Sequence, residues 1–142
     1  MGQSGTLGQT MRVQHIFVPP TRDAETQSVE SYIYGTFTQS LTDLVLVDTQ
    51  QILMAFAGRL WEFGVEGGKA IAYEPGGTYA AIGSGTEVAL GVLRTLISDA
   101  PGNELLVIKK AFEAVCHYRS NVAGPFPYLC WSPDGTITSG VL

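Results

Sequence analysis

A serine held between two glycines is the part of this sequence whose residue types best suit chemistry. Ser84 lies between Gly83 and Gly85, after residues 79–82, which suit a buried strand, and before a segment with apolar residues at helical spacing. Glycine allows backbone conformations that are closed to other residues, so the chain can turn sharply from strand to helix. Such a turn points the free amides of the helix at the end of the strand, where many folds place catalytic groups. Ser84 is therefore the first candidate for a site residue.

Ser84 also suits a purely structural role. Glu87 follows three residues later, and this spacing is the capping-box pattern, in which the serine accepts a hydrogen bond from an early helical amide and the glutamate reaches back. The two roles are compatible, because a capping serine can still face a cleft. Ser84 does not lie in a Gly-x-Ser-x-Gly nucleophile elbow, and Gly83 and Gly85 lack the later glycine and lysine of a phosphate-binding loop. A triad hydrolase and a nucleotide site are therefore not predicted.

The metal-binding side chains are few and poorly spaced. His15 and His117 fall in separate predicted elements, and Cys116 with His117 and the distant Cys130 lacks the paired spacing of a structural zinc site. We therefore predict no metal and no cofactor. The two cysteines are expected to be free, buried thiols, which fits a reducing cytoplasm better than an oxidising compartment.

Length and composition favour one soluble domain. The 142 residues are 45% hydrophobic, enough for a core, and the formal charge of -5 comes from 13 acidic against 8 basic residues. The basic residues are scattered, which argues against binding to nucleic acid or to an anionic membrane. No apolar run approaches the roughly 20 residues that cross a bilayer, and the amino terminus lacks a basic region followed by an apolar one. We predict a single cytoplasmic domain over residues 1–142, with residues 1–24 rich in loop.

Hydrophobic periodicity predicts the elements that must position Ser84. A first helix is marked by apolar residues at every fourth position from Val29 to Leu41. An antiparallel meander follows, in which a Gly-Gly pair connects two strands and Trp61 and Phe63 share an apolar face. The remaining predictions are strands over 44–47, 52–57, 58–63, 69–73 and 79–82, a helix over 86–98, a helix over 102–118 that buries Leu105, Ile108, Phe112 and Val115, and a closing hairpin over 126–131 and 136–142.

The order of several motifs resembles the proteasome β-subunit family of N-terminal-nucleophile hydrolases, including its bacterial and phage-like peptidase subunits. The motifs are Gly-Arg-Leu-Trp-Glu-Phe at 58–63, Tyr-Ala-Ala-Ile-Gly-Ser-Gly at 79–85, Ala-Leu-Gly at 89–91 and Val-Ala-Gly-Pro-Phe at 122–126. They cover residues 45–129 in the family's order and approximate spacing, and Ser4-Gly5 is similar to the part upstream of the family's first core helix. The resemblance implies an α+β fold, with antiparallel β-sheets sandwiched by helices.

That family cleaves peptides with an amino-terminal threonine that is both nucleophile and base, carried on an opening β-hairpin with an aspartate and a lysine. The match in this sequence starts downstream of that hairpin. By the resemblance, Gly5 would correspond to the glycine whose amide forms the oxyanion hole, and Ser84 and Gly85 to the turn near the threonine amine. The family's late aspartate falls near Arg119 and its nearby serine near Val122, so both are changed. The resemblance therefore implies a proteasome-like fold that lacks the first β-hairpin.

Three functions are compatible with this pattern. The chain could be a non-catalytic subunit that acts as a structural or assembly component of phage type, the larger part of a split threonine-type peptidase completed by another chain, or a shortened but active hydrolase. Gly5-Thr6 resembles the junction at which such enzymes mature, but residues 7–17 lack the strand, aspartate and lysine that should follow, so we expect the chain to stay unprocessed. Gly5 equally suits a flexible turn. Loss of a hairpin from a two-sheet sandwich exposes a sheet edge and an apolar face, so we expect a homo-oligomer or a complementing protein chain.

Overall fold

Two compact units, residues 1–83 and 84–142, make up the chain. The computed structural model describes residues 1–5, 7–44, 46, 48–99, 101–132 and 134–142. Each unit mixes helices with antiparallel strands, which confirms the coarse α+β prediction, whereas the single domain stays a prediction. The first unit contains β1 (Gly2–Ser4), α1 (Leu7–His15), α2 (Val29–Ser31), a π-helix (Tyr32–Phe37), α3 (Thr38–Thr42), β2 (Gln51–Phe56), β3 (Arg59–Glu66) and β4 (Lys69–Tyr73); the second contains α4 (Thr86–Leu96), a 3-10 turn (Ile97–Asp99), α5 (Glu104–Tyr118), β5 (Pro127–Trp131) and β6 (Ile137–Val141).

The first predicted helix forms, and a wide turn in its middle suits its apolar spacing. α2, the π-helix and α3 follow one another without a break from Val29 to Thr42. Ile33, Phe37 and Leu41 are buried, as predicted. In an α-helix of 3.6 residues per turn, side chains four residues apart are rotated by about 40° around the helix axis at each step. A strict four-residue stripe therefore winds around an α-helix and does not stay on one face. The π-helix has more residues per turn, and it brings the stripe back towards a single core.

The first unit contains a four-stranded antiparallel sheet in the order β1-β2-β3-β4. Gly67 and Gly68, both with positive φ, form the predicted connection between β3 and β4. Trp61 and Phe63 share one face of β3 and are buried, which confirms the alternation predicted for this strand. The core that the sheet shares with the helices contains Val13, Tyr32, Ile33, Phe37, Leu41, Leu46, Ile52, Met54, Trp61, Phe63 and Ala70.

A charged cluster joins the start of β3 to its neighbours. Arg59 donates hydrogen bonds to the carboxylates of Glu30 and Glu74, and its guanidinium lies over the ring of Trp61, 4.5 Å from the ring centroid. The hydrogen bonds from Arg59 hold the pKa of Glu30 and the pKa of Glu74 below the usual range. A carboxylate whose pKa is lowered by folding stabilises the fold at pH values above the usual pKa of glutamate. This stabilisation is lost as the pH falls through the lowered pKa. Because the carboxylates are exposed, solvent screens the contribution.

The second unit contains α4 and α5, and the buried face of α5 differs from the prediction. Val107, Ala111 and Val115 are buried, whereas Leu105 and Ile108 are 41% and 37% exposed. The buried side chains are small and repeat at every fourth position, so another helix can approach closely, while the predicted stripe was chosen for hydrophobicity alone. The predicted stripe of Leu105, Ile108, Phe112 and Val115 is therefore wrong, apart from Val115 and the half-buried Phe112.

The strand predicted before Ser84 does not form. Residues 79–82 are half-buried and join neither sheet in the part of the chain that the structure describes. A strand needs a neighbouring strand to satisfy its amides, and apolar composition alone does not supply one. Instead of a ladder bond, the amide of Gly83 donates a hydrogen bond to the side-chain oxygen of Gln51, at 3.2 Å.

Two other predicted segments have mixed outcomes. Within residues 1–24, predicted to be rich in loop, the structure has β1 and α1, and residues 17–23 contain neither helix nor strand. In the strand predicted over 44–47, Val45 and Val47 lie outside the described residues, and Leu46 is buried. No helix in the described part of the chain is long and apolar enough to span a bilayer.

The second unit closes with the predicted hairpin. β5 and β6 pair so that Pro127 lies opposite Val141 and Trp131 lies opposite Ile137. The amide of Ser132 donates to the carbonyl of Thr136 at 2.9 Å, which continues the pairing towards the turn. Pro133, predicted to be part of this turn, lies outside the described residues. The hairpin is a separate two-stranded sheet.

Candidate functional site

The turn that contains Ser84 forms, but the serine does not cap the helix. Gly83 has a φ of 99°, a conformation that favours glycine, and Ser84 is exposed. α4 begins at Thr86, and its N-cap is Gly85, which has no side chain to bond a helical amide. The capping box predicted for Ser84 and Glu87 is therefore wrong, because the helix begins one residue later than that pattern requires.

Ser84 instead contacts a residue that follows α5. The side-chain amide of Asn121 donates a hydrogen bond to the hydroxyl oxygen of Ser84, at 3.3 Å. Two residues earlier, Arg119 lies 3.9 Å from a carboxylate oxygen of Glu87, on the first turn of α4. The start of α4 and the segment after α5 thus bring together four polar side chains, those of Ser84, Glu87, Arg119 and Asn121. They form an exposed cluster, since the side chains of Arg119 and Glu87 are 44% and 91% accessible.

The chemistry of this cluster is hydrogen bonding. A carboxamide nitrogen donates and has no free lone pair to accept a proton, so Asn121 cannot activate the hydroxyl of Ser84. Arg119 stays protonated in proteins and attracts the carboxylate of Glu87. A serine nucleophile needs a base within hydrogen-bond reach, and the contact that Ser84 makes here is with a donor. The arrangement can hold a surface turn in place.

Gly85 is needed for close packing and not for an unusual backbone conformation. Its φ is -97°, which other residues adopt freely, so the predicted need for backbone freedom does not apply at this position. A Cβ added at Gly85 would lie 2.4 Å from a methyl carbon of Val115. Val115 is buried and β-branched, so it has little freedom to move aside. Gly85 is therefore required for the close approach of the start of α4 to α5.

Gly5 lies in the first unit, beside a buried glutamine. It has a φ of 152°, and an added Cβ would lie 2.3 Å from the side-chain oxygen of Gln50. Gln50 is only 1% exposed, and among the described residues neither its amide nitrogen nor its oxygen has a hydrogen-bond partner. Ser84 and Gly85 belong to the second unit, whereas Gly5 belongs to the first. Their catalytic roles stay predictions.

The contacts of these residues were missed from the sequence for a physical reason. Asn121 lies 37 residues after Ser84, in a segment that was interpreted only as the end of a helix. Gln50 precedes an apolar strand, and nothing in its neighbours indicates that it is the one of two adjacent glutamines that becomes buried. Both contacts depend on tertiary packing, for which one sequence has no local signal.

Replacing Gln50 with leucine is expected to raise the free energy of unfolding of the first unit by about 1–3 kcal/mol. The substitution removes a buried amide that has no partner and keeps a side chain of similar size. Urea denaturation followed by circular dichroism measures the change.

Gln51 is the matched control for Gln50. It is half-buried and accepts a hydrogen bond from the amide of Gly83, so Gln51→Leu should lower stability by about 1 kcal/mol. A loss of stability in Gln50→Leu as large as that in Gln51→Leu would contradict the assignment of Gln50 as the unpartnered residue.

One cavity lies on the surface of the second unit. It has a volume of about 320 Å³. Phe112 and Phe126 stack at its wall with their ring centroids 4.3 Å apart, and Cys116 is half-buried beside them. Both cysteines are free, as predicted, but Cys130 is exposed rather than buried. Among the described residues, no group of three metal-binding side chains is placed to hold an ion. The cavity is lined by Lys109, Phe112, Glu113, Cys116, Phe126 and Leu142.

Comparisons of the chain with protein-family models, with curated proteins and with solved structures find no match. The resemblance to the proteasome β-subunit family therefore stays a prediction from the sequence motifs.

Proposed function

We propose that this chain is a non-catalytic subunit with a proteasome-like sandwich fold, which acts as a structural or assembly component. The observation that carries the proposal is an uncovered apolar surface on the β5–β6 hairpin, which we name the hairpin face. Large apolar side chains are normally covered, and a contiguous set of them on one sheet face marks an interaction site. The hairpin face consists of Pro127, Leu129, Trp131, Ile137, Ser139 and Val141, all exposed.

The surroundings of Ser84 support the non-catalytic part of the proposal. The hydroxyl accepts from the amide of Asn121, and Arg119 stands where the resemblance would require an aspartate. An amide and a guanidinium cannot take the proton of a serine or threonine nucleophile at neutral pH. The cluster therefore suits a subunit that keeps the turn of the family without its reaction.

Peptide hydrolysis tests the proposal. The purified chain should leave peptide substrates intact and should not react with probes for serine or amino-terminal threonine nucleophiles. Ser84→Ala should behave like the wild type, because the described partner of the hydroxyl, Asn121, cannot act as a base. The control is Ser120→Ala, an exposed serine after α5. Hydrolysis by the wild type that is lost in Ser84→Ala and kept in Ser120→Ala would overturn the proposal.

A further inference from the structure

The pairing of β5 with β6 separates two chemically different surfaces of the hairpin. Residues directly opposite each other in an antiparallel pair point to the same side, so Leu129 shares a face with Ser139, and Trp131 with Ile137. The other side carries Tyr128, whose ring covers Gly140 of the neighbouring strand: a Cβ at Gly140 would lie 2.6 Å from the ring. The ring of Tyr128 thus covers the part of this side around Gly140, while Cys130 and Thr138 on the same side are exposed and every residue of the hairpin face is exposed.

The exposure of the hairpin face is large for residues of these types. Leu129 is 79% exposed, Trp131 76%, Val141 64% and Ile137 59%. A two-stranded hairpin is at best marginally stable in water unless its apolar face packs against something. The hairpin face therefore needs an occupant for its own stability.

We propose that the occupant is a second copy of this chain, so that two hairpin faces pack against each other about a two-fold axis. This inference rests on the proposed function, since it names the partner that the assembly surface binds.

Charge favours a second copy as the partner. The chain carries a net charge of -5, so two copies repel each other over most of their surfaces. The hairpin face has no charged residue, and its one polar side chain is the hydroxyl of Ser139. Two such faces can meet without burying a charge or placing like charges together.

The area also suits a dimer. The exposed fractions of these side chains correspond to roughly 600 Å² of apolar surface per copy, so that a pair buries about 1,200 Å² in total, which is the lower end of specific interfaces. A dimer of this size should dissociate in the micromolar range, on the order of 1–100 μM, since binding also costs translational and rotational freedom.

The distribution of bulk along the face is self-complementary. Trp131 and Ile137 lie at the turn end of the hairpin, and the smaller Pro127 and Val141 lie at the other end. A two-fold axis that lies in the plane between the two faces, and runs across the strands near Ser139, reverses the strand direction of one hairpin relative to the other. The large end of each copy then packs on the small end of its partner, as in well-packed sheet pairs.

Sedimentation velocity over a range of protein concentrations tests the inference. The wild type should show a reversible monomer–dimer equilibrium. Leu129→Ser combined with Trp131→Ser should raise the dissociation constant at least about 100-fold, because Leu129 lies at the centre of the contact and Trp131 is its largest side chain. The control is Thr138→Ser combined with Cys130→Ser, two exposed positions on the opposite side, which should change the constant less than about 2-fold. Circular dichroism of each variant checks that the helices are kept.

Tryptophan fluorescence gives a second readout that needs no change to the hairpin face. The chain has two tryptophans, and Trp61→Phe leaves Trp131 as the sole indole. Its emission should shift to shorter wavelength as the protein concentration rises, because dimerisation removes Trp131 from water.

Three results would overturn the inference. They are a wild type that is still monomeric at about 100 μM, the upper end of the expected dissociation constant, a dimer whose dissociation constant is unchanged by the face variants, and a Trp131 that is shielded from water in the monomer. None of these results would imply peptidase activity, and peptidase activity would leave the sedimentation result unchanged. The failure of this inference and the failure of the proposed function are therefore distinguishable.

Discussion

Replacing Trp61 with alanine is expected to lower the free energy of unfolding of the first unit by about 3–5 kcal/mol. Trp61 is fully buried, and its indole nitrogen donates to the carbonyl of Phe56 at 3.3 Å. The rings of Tyr34 and Trp61 pack edge to face with their centroids 5.8 Å apart, and the guanidinium of Arg59 lies over the indole. Alanine would remove all of these contacts and leave a cavity that a pleated sheet cannot easily fill.

The second tryptophan is a matched control. Trp131→Ala removes the same side chain from a position that is 76% exposed, and at a low protein concentration it should change stability by less than about 0.5 kcal/mol. Because Trp61→Ala could unfold the unit outright, Trp61→Phe provides an intermediate step that keeps a ring in the core. Urea denaturation followed by circular dichroism compares the variants. A change below about 1 kcal/mol in Trp61→Ala would contradict the position of Trp61 in the core.

Two glycines, one at the start of α4 and one in its middle, should respond in opposite directions to alanine. Gly85→Ala is expected to destabilise the second unit by about 1–3 kcal/mol, because the new methyl would meet Val115. Gly91→Ala should stabilise it by about 0.5–1 kcal/mol, since nothing in the described part of the chain lies within 4 Å of the added carbon and alanine has less freedom to lose than glycine in a helix.

Thermal unfolding of the two variants measures this contrast directly. Gly85 is the N-cap of α4, where alanine is less favourable than glycine even without a clash, so a second substitution is needed to isolate the packing at Gly85. Val115→Ala in the Gly85→Ala background should recover part of the loss, because it removes the side chain that clashes. Equal stabilisation by the two glycine substitutions would mean that α4 does not approach α5 as described.

Regular patterns predicted much of the secondary structure. The four-residue repeat ending at Leu41 and the alternation through Trp61 and Phe63 both led to buried faces, because apolar periodicity follows the geometry of helices and strands. The Gly67-Gly68 connection was equally readable, since few residues other than glycine adopt two successive positive φ values. These features are local, so one sequence is enough to find them.

The failures involve choices that only tertiary packing makes. Residues 79–82 have a strand-like composition and no partner strand, so they stay outside both sheets. On α5, the small Ala111 is buried while Ile108 is 37% exposed, because the distance between helices rather than hydrophobicity selected the face. The start of α4 was predicted within two residues, but the shift of one residue removed the role of Ser84 as its cap.

The candidate site shows the same division between local and distant information. Ser84 was found from its glycines, and its exposure on a sharp turn agrees with that expectation. The group that contacts it, Asn121, donates a hydrogen bond to its hydroxyl and comes from a segment beyond α5. A short motif can thus locate an exposed turn residue, while its contacts depend on distant residues that the motif does not contain.

Native mass spectrometry of the purified chain tests the central claim most directly, because one spectrum gives both the mass of each chain and the number of chains per assembly. The account predicts uncleaved chains that form monomers and dimers in equilibrium, with the share of dimers rising as the protein concentration rises. Monomers alone would contradict the assembly role, and a chain shortened to begin at Thr6 would contradict the non-catalytic role.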